Sequence, residues 1–238
     1  MIFGHYKVKY LLYKVTFTFY ALVDYARLHP VRERNSRALL SSVDYIDEHL
    51  PNAIGFSRQP ELVDYILSII STSGHYMEFG VFMGGSIRHI AKKKPVEIIH
   101  GFDSFEGLPG EWGGFDLGKG AFSVQGKLPK VPANVKLYKG WFKDTLPQWC
   151  AQNPGPVAFV HIDSDIYSST VDIVNALESR FVPGTIILFD EYFNYPNWQQ
   201  HEHRAWQEFV ARTGIRYEYI GYARTQLAVR ITSVPEKQ

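Results

Sequence analysis

The hydrophobic and polar positions change period near residue 75. Before it, Leu39, Leu40, Val43 and Ile46 fall at helical spacing and predict a helix over 36–50. The apolar positions of 61–70 predict a second helix, stopped by Ser73-Gly74. After it, short apolar runs alternate with amphipathic ones. Strands are predicted over 76–80, 96–103, 135–139, 156–163 and 184–190, and helices over 84–94, 168–180 and 205–212. Two last strands, 216–220 and 226–231, are joined by a turn around Gly221, too short for a helical crossover, so they pair antiparallel. No period of about 20 to 50 residues recurs. The pattern is that of an α/β chain: a mostly parallel seven-stranded sheet with helices on both faces and an antiparallel C-terminal hairpin. Residues 1–54 read as an N-terminal helical extension serving as lid or oligomer contact, and 55–238 as the main domain.

Ligands of such sheets bind beyond the carboxyl ends of the strands, where the strand order reverses. Glycine, aromatic and acidic residues cluster at those places here. The first strand runs into MEFGVFMGGS, residues 77–86, with spacing E-x-G-x-x-x-G. Glycines let the backbone approach a ligand, and a helix start presents free N–H groups to an anion. The offsets are not those of a dinucleotide fingerprint, and the absence of Gly-Lys-Ser/Thr excludes a P-loop. The second strand ends at Asp103 in GFDSFEGLP, where a carboxylate suits the hydroxyls of a ribose. The third ends in KGWFKDTLP, whose Trp141 and Phe142 could stack on an adenine or pack in the core.

Two buried strands end in acids. HIDSDIYSST supplies Asp163 and Asp165, and LFDEYF supplies Asp190 and Glu191. Four carboxylates on one rim repel one another unless a cation sits among them, and an all-oxygen set favours Mg²⁺, Mn²⁺ or Ca²⁺ over zinc. A metal there would hold a hydroxyl and lower its pKa, and a nearby carboxylate would take the proton. Asp165 is the candidate base; His201 and His203, in WQQHEHRAWQEF, are its rivals.

Composition narrows the picture. Lys plus Arg number 25 against 24 for Asp plus Glu, too even a balance for a general nucleic-acid binder. The one cysteine, Cys150, excludes an internal disulfide framework and fits a reducing, cytoplasmic setting. Residues 10–23 are apolar but too short and interrupted to span a membrane, and no signal cleavage site follows them. Lys7, Lys9, Lys14, Arg27, Arg32 and Arg34 make this end basic. A helix packed on its own domain or on a second copy in a homo-oligomer is the favoured reading; a weak membrane-surface contact is the other. Residues 104–134 form a long Gly- and Pro-rich loop in which Trp112, Phe115 and Phe122 are candidate stacking residues for an acceptor.

EFGVFMGGS, GFDSFEGLP, KGWFKDTLP, HIDSDIYSST, GTIILFDEYFNYPNW and HEHRAWQEF occur in this order. Together, over about residues 55–231, they resemble the macrocin O-methyltransferase-like family of class I S-adenosylmethionine (SAM)-dependent enzymes. The resemblance implies a Rossmann-like methyltransferase fold and methylation of a hydroxyl on a sugar, glycolipid or glycosylated natural product. It implies a Mg²⁺ (or Mn²⁺) held by Asp163, Asp190 and Glu191, with Asp165 as base. It places Glu78, Gly80, Ser86, Asp103, Ser104 and Trp141 around SAM. Two departures stand out: the fifth strand ends in Asp190-Glu191 where relatives often have two aspartates, and Ile166 stands where some carry a histidine base. A nucleotide-dependent oxidoreductase and a non-catalytic scaffold subunit are the competing classes; the first has no use for the acidic rim.

Overall fold

A computed structural model describes residues 14–16, 18, 29–113 and 117–236. Helix α1 (Pro30–His49) leads to a short strand β1 (Ile54–Gly55) and α2 (Gln59–Ser68). Then β2 (His75–Phe79), α3 (Gly85–Lys93), β3 (Ile99–Asp103) and β4 (Val135–Lys139) follow. The second half comprises α4 (Phe142–Gln152), β5 (Val157–Ile162), α5 (Tyr167–Leu177), β6 (Ile186–Phe189), α6 (Glu202–Thr213), β7 (Arg216–Ala223) and β8 (Gln226–Ser233).

These strands form one sheet in the order β1-β7-β8-β6-β5-β2-β3-β4. β8 pairs antiparallel with both β6 and β7, and all other pairs are parallel. The seven predicted strands are all present; the two-residue β1 adds an eighth at the edge. The hairpin turn lies at Arg224-Thr225, not near Gly221, which is paired with Ala228 inside the ladder. Helix α4 was not predicted, because Pro147 inside it and Gly140 before it read as loop signals.

The central strands are buried on both faces, so each alternates between two cores. Met77, Phe79, Val160, Ile162, Ile187 and Phe189 pack on one side; Tyr76, Phe159, Ile186 and Leu188 pack on the other with Leu62 and Ile66 of α2 and Ile87 and Ile90 of α3. Two polar residues interrupt the second face: Glu78 and His161, register partners in β2 and β5.

Helix α1 buries Ala38 and Ser42, while Leu39, Leu40 and Val43 stay exposed. Its inner face is fastened by hydrogen bonds. Ser42 Oγ accepts the Asn194 N–H at 2.8 Å, Ser41 Oγ accepts Trp198 Nε1 at 3.1 Å, and the hydroxyls of Tyr45 and Tyr219 lie 2.5 Å apart. Among the described residues no helix is long and apolar enough to cross a membrane. Lys7, Lys9 and Arg27 of the basic end lie outside the described residues, as does Phe115.

Candidate active site

Strands β2 and β5 are neighbours, yet the chain leaves β2 toward β3 and β4 and returns through β5 toward β6. Their carboxyl ends therefore open a crevice at the reversal. A cavity of 840 Å³ occupies it. Its wall includes Gly80, Asp103, Ser104, Trp141, Asp163, Asp165, Asp190 and Glu191. Eight of the predicted cofactor, metal and base residues thus meet in one space.

Gly80 begins the turn after β2 at φ +95°, and a Cβ there would run into the carbonyl oxygen of Asp163. Only glycine permits this close crossing of the β2 and β5 ends. Asp103 organises the same turn. One of its oxygens accepts the N–H groups of Val81 and Phe82 at 2.8 and 2.7 Å, and the other accepts that of Phe105 at 2.6 Å. A carboxylate has about four acceptor directions and three are taken, so one further hydroxyl donor can still be met. Phe82, Asp165 and Arg224 line the cavity with φ of +47°, +63° and +52°. Positive φ in residues other than glycine concentrates where a site demands it.

Glu78 and Ser86 are not on this wall. Ser86 Oγ donates to Glu78 at 3.0 Å, and the other oxygen of Glu78 meets His161 Nδ1 at 3.0 Å. Glu78 is wholly buried and held in a bond network under the glycine turn.

The acids come together as two overlapping groups. Asp163, Asp165 and Glu191 each offer an oxygen within 4.8 Å of the others, and a ring nitrogen of His161 lies equally close to oxygens of Asp163 and Asp190. Asp163 belongs to both. The predicted set Asp163, Asp190 and Glu191 is split between them, because Asp190 Oδ1 is drawn to His161 Nε2 at 3.3 Å and to Gln226 Nε2. The electrostatics follow the geometry. Burial, then the charge of Asp190, pushes Asp163 well above the usual carboxylate range, and Glu191 likewise. Burial, then Asp190 and Asp103, raises Asp165 to about 7. Burial alone would raise Asp190 too, but the hydrogen bond from His161 prevails and lowers it to about 2. Burial works against a charge on His161, yet its bonds to Asp190 and Glu78 carry it well above the ordinary histidine value.

The match to known sequences decides the family. The model of the macrocin O-methyltransferase (TylF) family covers residues 50–221 of this chain.

The chain belongs to the macrocin O-methyltransferase family.

Curated relatives include a tetracenomycin rhamnosyl 4'-O-methyltransferase of Streptomyces olivaceus, 28% identical, with 58% of this chain and 61% of the relative covered. A demethyldecarbamoylnovobiocin O-methyltransferase of Streptomyces niveus is 25% identical, covering 60% and 63%. The chain thus spans under two thirds of the length of these relatives. Among solved structures, the calicheamicin methyltransferase CalS11 shares the fold with a TM-score of 0.57 at 24% identity, covering 85% of this chain and 93% of its own. The O-methyltransferase NovP does so with a TM-score of 0.56 at 24% identity, covering 73% and 79%. The fold is that of the class I O-methyltransferases.

Within this macrocin O-methyltransferase family chain, His201 and His203 lie off the cavity wall. His203 is packed edge-on against Tyr45, Tyr192 and Trp198 with ring centroids 4.9–5.2 Å away. Burial holds its pKa down to about 4 and also lowers that of His201. Between them Glu202, wholly buried, accepts the Glu191 N–H at 3.0 Å; burial, then Asp190, pushes its carboxyl well above the usual range. Glu202 is a fifth acid beside the rim, concealed in the sequence by its two histidine neighbours. Trp112 is buried against Tyr195 while still lining the cavity, and the exposed Phe122 forms its outer edge with Phe82, ring centroids 5.9 Å apart. Lys143, Ser168, Asp172 and Arg224 also line the wall and were not singled out by the sequence.

Proposed function

We propose that the protein is a SAM-dependent, divalent-metal-dependent O-methyltransferase acting on a hydroxyl of a sugar, glycolipid or glycosylated natural product. One observation carries the reading: Asp163, Asp165, Asp190 and Glu191 share a cavity with the glycine turn, Asp103 and Trp141. The named activities of the curated relatives support the hydroxyl acceptor.

Both absent groups fit the residues present. The turn at Gly80 admits no side chain, and Asp103 and Trp141 give a ribose acceptor and an aromatic surface nearby, the chemistry a nucleoside demands. Asp163, Asp190 and Glu191 would hold Mg²⁺ or Mn²⁺: they are oxygen donors whose mutual repulsion a cation relieves. When bound, SAM supplies the electrophilic methyl group, and the metal lowers the pKa of an acceptor hydroxyl.

The chain does the rest. The acidic wall orients the acceptor oxygen toward the methyl side of the cavity, which converts the transfer into a positioned displacement. Asp165 would take the hydroxyl proton onto its carboxylate as the C–O bond forms and the methyl group's bond to the sulfonium sulfur breaks, the thioether S-adenosylhomocysteine being the leaving group. Burial, then the charges of Asp190 and Asp103, holds its pKa above that of an ordinary aspartate in the metal-free site. Trp112, Phe122 and Phe82 form an aromatic surface for a sugar or planar aglycone on the outer wall. The protein works in the cytoplasm as a homo-oligomer, a reading supported by the unpaired Cys150 and by the apolar positions that α1 leaves exposed.

Calorimetric titration of SAM in Mg²⁺ and in EDTA, on the native protein and on Asp163→Ala, tests this. Saturable SAM binding, with metal binding lost in Asp163→Ala, is expected. Failure to bind SAM in either condition rejects the activity; SAM binding with no metal binding in the native protein rejects the metal mechanism alone.

A further inference from the structure

Beneath the cavity a chain of hydrogen bonds runs through the sheet: Ser86 Oγ to Glu78, Glu78 to His161 Nδ1, and His161 Nε2 to Asp190 Oδ1, at 3.0, 3.0 and 3.3 Å. It starts in the first turn of α3, behind the glycine loop, and ends on a residue of the acidic rim. Glu78 is 0% and His161 2% exposed.

This is costly architecture. Burying charged groups costs several kcal/mol apiece before their mutual attraction is counted. Their neighbours on the same face, Tyr76, Phe159, Ile186 and Leu188, show that apolar residues fill it readily. A carboxylate oxygen meets each of the two ring nitrogens of His161. Its plane and its direction are then fixed from two sides. At the Asp190 end, His161 and Gln226 both act on Oδ1, which leaves Oδ2 as the oxygen available to a cation. Asp190 is the member of the chain that reaches the cavity.

We propose that His161, held by Glu78, is a positioning residue that sets the Asp190 carboxylate for the divalent cation. The inference rests on the metal-dependent reading above. The two ring bonds lock one rotamer of Asp190 with Oδ2 presented, and Ser86 anchors the far end at the turn that shapes the cofactor side. Partners of this kind hold ligand geometry, and their loss typically weakens metal binding by about 10–100-fold.

The test measures Mn²⁺ affinity directly, from the free-ion electron paramagnetic resonance signal, on the native protein, His161→Asn, Glu78→Gln and His100→Asn. His100 is a buried histidine of β3 bonded to Tyr138 and Trp149, away from the acids, and serves as a control for general destabilisation. SAM affinity in EDTA and thermal midpoints are measured alongside. Mn²⁺ dissociation constants about 10–100-fold higher in His161→Asn, smaller losses in Glu78→Gln, and native affinity in His100→Asn are expected. SAM affinity should change far less than metal affinity. Should His161→Asn fail to fold, Glu78→Gln decides, since it keeps the size of the side chain and replaces one of its two accepting oxygens with an amide NH₂. Native Mn²⁺ affinity in both chain variants overturns the proposal, and so does a parallel fall in SAM affinity, Mn²⁺ affinity and thermal midpoint. A native protein that binds no Mn²⁺ overturns instead the metal reading on which it rests.

Discussion

Asp165 holds a left-handed backbone at φ +63°, is nine-tenths buried, and faces the charges of Asp190 and Asp103. Each is unfavourable for an aspartate chosen for stability, and together they suit the proton acceptor proposed above. Asp165→Asn keeps the shape and removes the proposed base. Methyl transfer should fall by about 10²–10⁴-fold while SAM affinity stays native, measured by single-turnover transfer and calorimetry. A histidine makes a second prediction at this scale. His203 has its pKa held near 4, against an ordinary 6.5, by burial. The unfolded chain therefore takes up this proton first as the pH falls, so stability from a neutral His203 is complete above about 6.5 and is lost on descending toward 4. The metal-free acidic rim acts in the opposite sense, because its raised carboxyls hold protons more tightly when folded. Only a difference isolates the histidine. The stability gap between the native protein and His203→Gln, from urea unfolding, should shrink between pH 6.5 and 4; a constant gap would remove burial as the cause.

The turn from β2 into α3 shows how an element sets the site. Its path crosses directly over the end of β5, and Gly80 is the crossing point. Gly80→Ala must pay for a positive φ and for a Cβ driven into the Asp163 backbone, so the β5 end has to move. A loss of more than about 2 kcal/mol in denaturant unfolding and loss of SAM binding are expected together. This turn was legible in the sequence because glycine spacing reports backbone constraint. Helix α4 was not: Pro147 lacks an N–H to continue a helix, and the packing of Leu146 and Trp149 into the core overrides that local cost. The strands were legible to within a few residues because burial on both faces leaves continuous apolar runs. The face of α1 was not, since hydrogen bonds through Ser41 and Ser42, rather than its leucines, attach it. At the site, the rim acids announced themselves by position after the strands. The roles of Glu78 and His161 did not, because a sequence gives no sign of which carboxylate a buried histidine will meet.

For the molecule as a whole, the reversal in strand order places the glycine turn, Asp103 and the two acidic strand ends around one cavity. Ligands that settle there bridge both halves of the sheet and bind only the folded chain, so each should raise thermal stability by mass action. SAM at about 100 times its dissociation constant adds roughly 2.7 kcal/mol. For a chain of this size about 2–4 °C per kcal/mol then gives a rise of roughly 5–10 °C in the melting temperature. NAD, whose fingerprint the turn lacks, should give none. Mg²⁺ should add its own increment at pH 7.5 and lose most of it in acid, since protons compete for Asp163 and Glu191, which burial and then the charge of Asp190 have already made basic. Asp163→Ala should abolish the Mg²⁺ increment and leave that of SAM, because Asp163 is common to both candidate ligand groups while the glycine turn meets it chiefly at its backbone carbonyl. A thermal scan with each ligand, alone and in pairs, reads all of these. If the Mg²⁺ increment survives in Asp163→Ala, the cation lies elsewhere than the shared corner of the two groups, and the rim acts on the acceptor through its carboxylates alone.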